Sequence, residues 1–133
     1  MNKSIVYAVN TSSQVLAVDS NVNFGSAIRK LGCACKANNG NLIADGEGYF
    51  TVNMGVSLLA GGAGILTLQA YQNGVAIPGA ETSRTVADAA GYAITLPEFV
   101  IKNSCCDKHS VITLVISGVA ATITNAAATL ETV

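Results

Sequence analysis

From Tyr49 to Leu58, apolar and polar positions alternate without a break. Phe50, Val52, Met54, Val56 and Leu58 fall on one side, and Tyr49, Thr51, Asn53, Gly55 and Ser57 on the other. A strand sends successive side chains to opposite faces, whereas a helix would scatter these apolar positions around its circumference. The stretch therefore predicts a strand with one buried face. Ile65 to Tyr71 repeats the pattern, with Leu66, Leu68 and Ala70 opposite Thr67, Gln69 and Tyr71. Val111 to Ser117 is rich in β-branched residues, as strands favour. Its Ile112, Leu114 and Ile116 share a face, which leaves Val111 and Val115 on the other. A strand that is apolar on both faces needs cover on both. We expect Val111 and Val115 to meet a second copy of the chain.

Turn signals separate these runs. Gly61-Gly62-Ala63-Gly64 predicts a hairpin loop between the first two strands. Asn73-Gly74 predicts a tight turn with positive φ at both residues, and Pro78-Gly79 another turn. Asn38 to Asn41 and Asp45 to Gly48 bracket a short strand at Leu42 to Ala44, and Asn21 to Gly25 forms an earlier turn. Turns spaced about every 8–12 residues indicate a sandwich or barrel of about eight to ten strands. Thr85 to Ala90 and Ala126 to Ala128 are alanine-bearing but too short and uncapped to predict helices. No internal repeat or linker is visible. The chain of 133 residues fits one domain, 1–133, with a core that needs no staples. The fold class expected is all-β, a two-sheet antiparallel jelly-roll sandwich.

Composition adds a reason to expect assembly. Hydrophobic residues make up 50% of the chain and charged residues 11%, against about 25% charged in a typical soluble domain. The mean hydropathy is +0.47. A membrane span does not account for it, because Gly, Asn, Ser and Thr interrupt every apolar run well short of about 20 residues. The first twenty residues lack the basic start and apolar centre of a signal peptide. Burial against other copies accounts for it better, since so sparsely charged a surface suits a monomer poorly. The net charge is −1, and the seven Lys and Arg are too dispersed for a nucleic-acid surface. Aromatic residues are 5% with no Trp, so stacking platforms for bases or sugars are scarce.

Gly48-Tyr49-Phe50-Thr51-Val52, followed by the run Leu66 to Gly79 with Asn73-Gly74-Val75-Ala76-Ile77-Pro78-Gly79, resembles the trimeric jelly rolls of the tumour necrosis factor and complement globular-head superfamily. Leu114 to Gly118 and a last strand through Thr129-Leu130-Glu131 fit the same pattern. Gly32-Cys33 and Cys105-Cys106-Asp107 are similar to small stand-alone structural proteins of Firmicutes prophages. The resemblance runs from about Tyr7 to Thr132. It implies a TNF-like homotrimer on a virion or spore surface and implies no chemistry. With no Gly-X-Y stalk in the chain, a phage head or tail accessory protein fits better than a spore fibre.

The residues themselves offer little for catalysis. The one histidine, His109, lies in the polar stretch Asp107-Lys108-His109-Ser110 and reads as a solvated loop end. A nucleophile elbow, a phosphate loop and a His-Glu-x-x-His motif are all missing. Asp88, Glu81 and Arg84 read as surface charges. No catalytic residue, cofactor or metal is expected. Asp19, Asn21 and Asn23 alternate as in a calcium loop, but the Gly falls at Gly25 and no Glu closes it, so a polar turn is expected. Cys33, Cys35, Cys105 and Cys106 form the one sharp constellation. Packed or free thiols, a disulfide linking the two segments, and a metal set remain open. Cys33 and Cys35 would share a strand face, and adjacent Cys105 and Cys106 would strain a bridge of their own.

The expected function is that of a non-enzymatic structural protein of a phage particle: a capsid decoration, head fibre or fibre tip, made in the bacterial cytoplasm and carried on the virion. Capsid or tail proteins would be its partners. The alternative is a carbohydrate- or receptor-binding module on a virion, spore or cell surface. Tyr71, Gln72 and Asn73 at the Asn-Gly turn would then form the ligand loop for a surface glycan. Neither a nucleic acid nor a membrane is expected as partner.

Overall fold

The computed structural model describes residues 3–104 and 109–133. Strands occupy 72% of the described residues, and no helix forms among them. The strands, numbered in chain order, build two antiparallel sheets. The seven-stranded sheet has the order β10 (Gly91–Thr95), β7 (Gly48–Ala60), β13 (Ala121–Thr132), β1 (Ile5–Asn10), β4 (Ser26–Leu31). Two further strands belong to it: β11 (Phe99–Asn103) pairs with the first half of β7, and β2 (Gln14–Leu16) with the start of β13. The six-stranded sheet has the order β5 (Cys35–Asn38), β6 (Asn41–Asp45), β12 (His109–Ser117), β8 (Gly64–Gln72), β9 (Val75–Val86), with β3 (Ser20–Asn21) on β12. Neighbours in each sheet are mostly distant in sequence, as a jelly roll requires.

The core lies between the sheets and follows from the alternation. Phe50, Val52, Met54, Val56 and Leu58 are buried, and across from them so are Leu66, Leu68, Ala70, Ile112, Leu114 and Ile116. Each large side chain so buried stabilises the fold by about 1.5–3 kcal/mol relative to exposure.

Local signals mislead at three places. Gly61 to Gly64 is not a hairpin loop: β7 and β8 belong to different sheets, so the loop arches from one layer to the other. Two strands that each bury one apolar face satisfy both by facing each other rather than pairing edge to edge. Pro78-Gly79 does not reverse the chain but lies in a bulge of β9, where Tyr71 pairs Ala76 and Gln69 already pairs Glu81. The Gln69 amide fills the bulge and donates to the carbonyls of Ile77 at 3.0 Å and Ala80 at 3.1 Å. The described residues form thirteen strands, beyond the eight to ten expected, in part because Ser20–Asn21 and Gln14–Leu16 are too short to show a period. Ala126 to Ala128 sits inside β13, and Thr85 in β9.

The Asn73-Gly74 turn has positive φ at both residues, 52° and 83°, as expected of a two-residue hairpin. Gly118 (φ 84°) closes the link from β12 to β13 so tightly that a Cβ there would lie 2.1 Å from the Ile65 carbonyl oxygen.

Candidate functional site

The two sheets present two outer faces. On the seven-stranded sheet, register lines up Val9, Ala127, Gly55 and Thr95 in one row and Tyr7, Thr129 and Asn53 in the next. Ser57 stands between Asn125 and Ala93 in a third row. The small side chains leave a hollow of about 480 Å³, with Tyr7 on its rim, and no charged residue lines it.

On the six-stranded sheet, Lys36, Ile43 and Val111 form one row, and Val115, Gln69 and Glu81 another. Val111 and Val115 are half-buried, so β12 is not closed on its outer face within one copy of the chain. Asp45 pairs with His109 across β6 and β12. His109 is exposed as the first residue of β12, not part of a loop. Lys30, Lys36, Asp45 and His109 border a second hollow of about 460 Å³ between β4, β5 and β6. Asp45 accepts from the Lys36 ammonium at 2.5 Å, and that bond holds the Lys36 pKa above its usual value.

The Asn-Gly turn carries a polar network that local sequence did not reveal. Asn103 and Ser110 are fully buried, and the Ser110 hydroxyl donates to Asn103 Oδ1. The Gln72 amide donates to Ser110 Oγ at 3.0 Å and to the Lys102 carbonyl at 3.1 Å. Asn73 Nδ2 donates to Ser110 Oγ at 3.3 Å, and Asn73 Oδ1 accepts from the Val111 N–H at 2.9 Å. Of Tyr71, Gln72 and Asn73, the two amides thus pin β8 to β11 and β12, and the half-buried Tyr71 pairs with Thr113 and Ala76. A hollow of about 300 Å³ opens beside them, lined by Gln72, Val75, Ile77, Val100 and Lys102 among others.

Cys105 and Cys106 lie outside the described residues. Cys33 is exposed, whereas Cys35 is fully buried, and burial pushes its thiol pKa up. Ser4 organises this region. Its hydroxyl donates to the Leu31 carbonyl at 2.9 Å and accepts from the N–H groups of Ala34 and Cys35, both at 3.0 Å. Its backbone pairs with Thr132 near the C-terminus. Asn21 to Gly25 is not the expected turn: Asn21 ends β3, Val22 and Phe24 are buried and their N–H groups donate to the Leu114 and Gly40 carbonyls, and the chain turns instead at Val18 and Asp19. Asn23 Oδ1 accepts from the Gly25 N–H at 2.7 Å, and Gln14 bonds both backbone groups of Asn23. Among the described residues no group of three or more His, Cys, Asp or Glu could hold a metal ion. Arg84 lies over the Tyr92 ring at 4.8 Å, and Glu81 and Asp88 are exposed.

No protein-family profile and no curated protein matches the chain in sequence. Solved structures do match its fold. The Eiger TNF of S. frugiperda superposes with a TM-score of 0.69 at 4% identity, over 99% of this chain and 92% of that one. The globular domain of zebrafish complement 1qA gives 0.64 at 10% identity, over 96% and 94%. Vertex protein P5 of phage PRD1 gives 0.62 at 10% identity, over 99% and 97%. The chain has the TNF-like jelly-roll fold; identities this low carry the fold alone.

Proposed function

We propose that this chain is one jelly-roll domain that assembles as a homotrimer and serves as a non-enzymatic structural module of a phage particle, decorating a capsid or tipping a fibre. The observation that carries the reading is the uncharged hollow on the seven-stranded sheet, floored by Gly55 and Ala127 and rimmed by Tyr7. Water gains little from such a face, and a second copy can close on it without stranding a charge. A cyclic trimer joins unlike patches, so the hollow of one copy receives a different part of the next. The phage role is supported by the fold shared with a phage vertex protein and by the sequence resemblance to prophage structural proteins. Purified phage particles should bind antibody raised against the chain; label confined to spore or cell envelopes would remove the virion assignment.

Val111 and Val115 support a competing interface. Val111 stands beside Ile43 on the opposite outer face, and Val115 lies further along the same strand between Asn21 and Gln69. The second functional reading is binding of a surface glycan, either at Tyr71, Gln72 and Asn73 with the hollow beside them or elsewhere on the surface. It is favoured by the presence of two open hollows that carry polar side chains.

A further inference from the structure

Charge is unevenly placed in this chain. Residues 1–40 hold four of its seven Lys and Arg and one of its eight Asp and Glu. Arg29 and Lys30 lie on β4, an edge strand exposed along its whole length, and Lys36 lies on β5, the edge of the other sheet. The two edges approach one another, and the hollow of about 460 Å³ opens where they do. Lys36 is neutralised by Asp45, but Lys30 has no carboxylate partner among the described residues. His109 faces into the same hollow, Asn38 adds an amide, and Ala27, Ala37 and Ile43 supply an apolar floor.

We infer that this hollow binds an acidic saccharide, a sugar bearing a carboxylate or phosphate. The volume exceeds what a bare anion fills. The exposed Lys30 ammonium meets the negative group through a charge-assisted hydrogen bond. Asp45 and Asn38 offer an acceptor and an amide for ring hydroxyls, and Ile43 with the two alanines packs the C–H face of the ring. No aromatic stacking is called for, which suits a chain with four Tyr, three Phe and no Trp. The inference deepens the glycan-binding reading and places its site at the β4–β5 edge rather than at the Asn-Gly turn. It does not depend on the trimer.

The test titrates the full chain with glucuronic acid, glucose 6-phosphate, glucose and inorganic phosphate at millimolar concentration, following backbone amide signals by NMR. Both acidic sugars should shift the signals of Ala27, Lys30, Lys36 and Ile43, and glucose should not. Lys30→Gln should weaken both acidic sugars about tenfold or more while melting at the wild-type temperature, because Lys30 is exposed. Absence of shifts with either acidic sugar overturns the inference. So does an equal response to glucose, an unchanged affinity in Lys30→Gln, or inorganic phosphate binding as tightly as glucose 6-phosphate. The native mass is read on the same samples, so failure here is distinguishable from failure of the trimer.

Discussion

Across the outside of the seven-stranded sheet, the row Val9, Ala127, Gly55 and Thr95 crosses four strands without a charge. Across the outside of the six-stranded sheet, the row Lys36, Ile43 and Val111 begins on a cation and the row Val115, Gln69 and Glu81 ends on an anion. Both faces come from the same period-two alternation, and in one strand at a time both look like ordinary polar flanks. The difference emerges only when register lays strands side by side. One face then has a small, uncharged hollow at its centre, with Arg29 and Glu131 toward its margin, and the hollow suits another copy of the chain. The other mixes valines with charges at its margins, which suits water at the edges and leaves a narrower apolar strip.

The largest expected effect comes from placing a charge on each face in turn. Ala127→Glu should leave the protomer folded and abolish the trimer, because an unpaired carboxylate in a closed contact costs about 3–5 kcal/mol. Val115→Glu, on the other face, should leave the trimer intact. If the two results are exchanged, the interface is the Val111 and Val115 face. Gly118→Ala should damage both faces together, since its Cβ meets the Ile65 carbonyl and its φ is positive; a loss of about 2–3 kcal/mol in denaturant melting is expected. Ser4→Ala should cost about 1–2 kcal/mol by leaving the Ala34 and Cys35 N–H groups and the Leu31 carbonyl without their shared partner. That change lies at the end of the seven-stranded sheet and should not alter the subunit number.

The smallest effect concerns the thiols. Iodoacetamide should modify Cys33 in the native protein and spare Cys35, as mass spectrometry of the peptides would show. Burial raises the folded-state pKa of Cys35. Its contribution to stability is therefore full below the pKa of an unfolded-chain thiol and lost as pH rises through the raised value. The alkaline fall in melting temperature should be shallower in Cys35→Ala. Cys105 and Cys106 enter by a separate measurement. Adding reductant lowers the melting temperature if a bridge joins the two cysteine segments and leaves it unchanged if all thiols are free.

The parts of this molecule legible in its sequence are those set by local period. The alternations from Tyr49, Ile65 and Val111 mark β7, β8 and β12, and Asn73-Gly74 marks its turn by the positive φ that both residues tolerate. Pairing is not local. The same Gly-rich signal at Gly61 to Gly64 serves a hairpin or an arch, and only the destination of β8 decides between them. The bulge at Pro78-Gly79 depends on Gln69 reaching across from β8. The network of Gln72, Asn73, Asn103 and Ser110 joins side chains up to 38 residues apart, so no window of sequence contains it. The uncharged hollow draws on β1, β7, β10 and β13 and is equally invisible along the chain. A count of Gly, Ala, Ser, Thr and Asn at outward positions of Tyr49 to Leu58 and Ala121 to Thr132 is the signal that could have pointed to it.

The trimer is tested most directly by the mass of the native protein in solution. Light scattering on the wild-type chain at micromolar concentration should give three times the 13.5 kDa of one copy, and it should stay there on dilution across the micromolar range. A stable species of 13.5 kDa would contradict the trimer, because the uncharged hollow of the seven-stranded sheet would then stand open to water with no copy to close it.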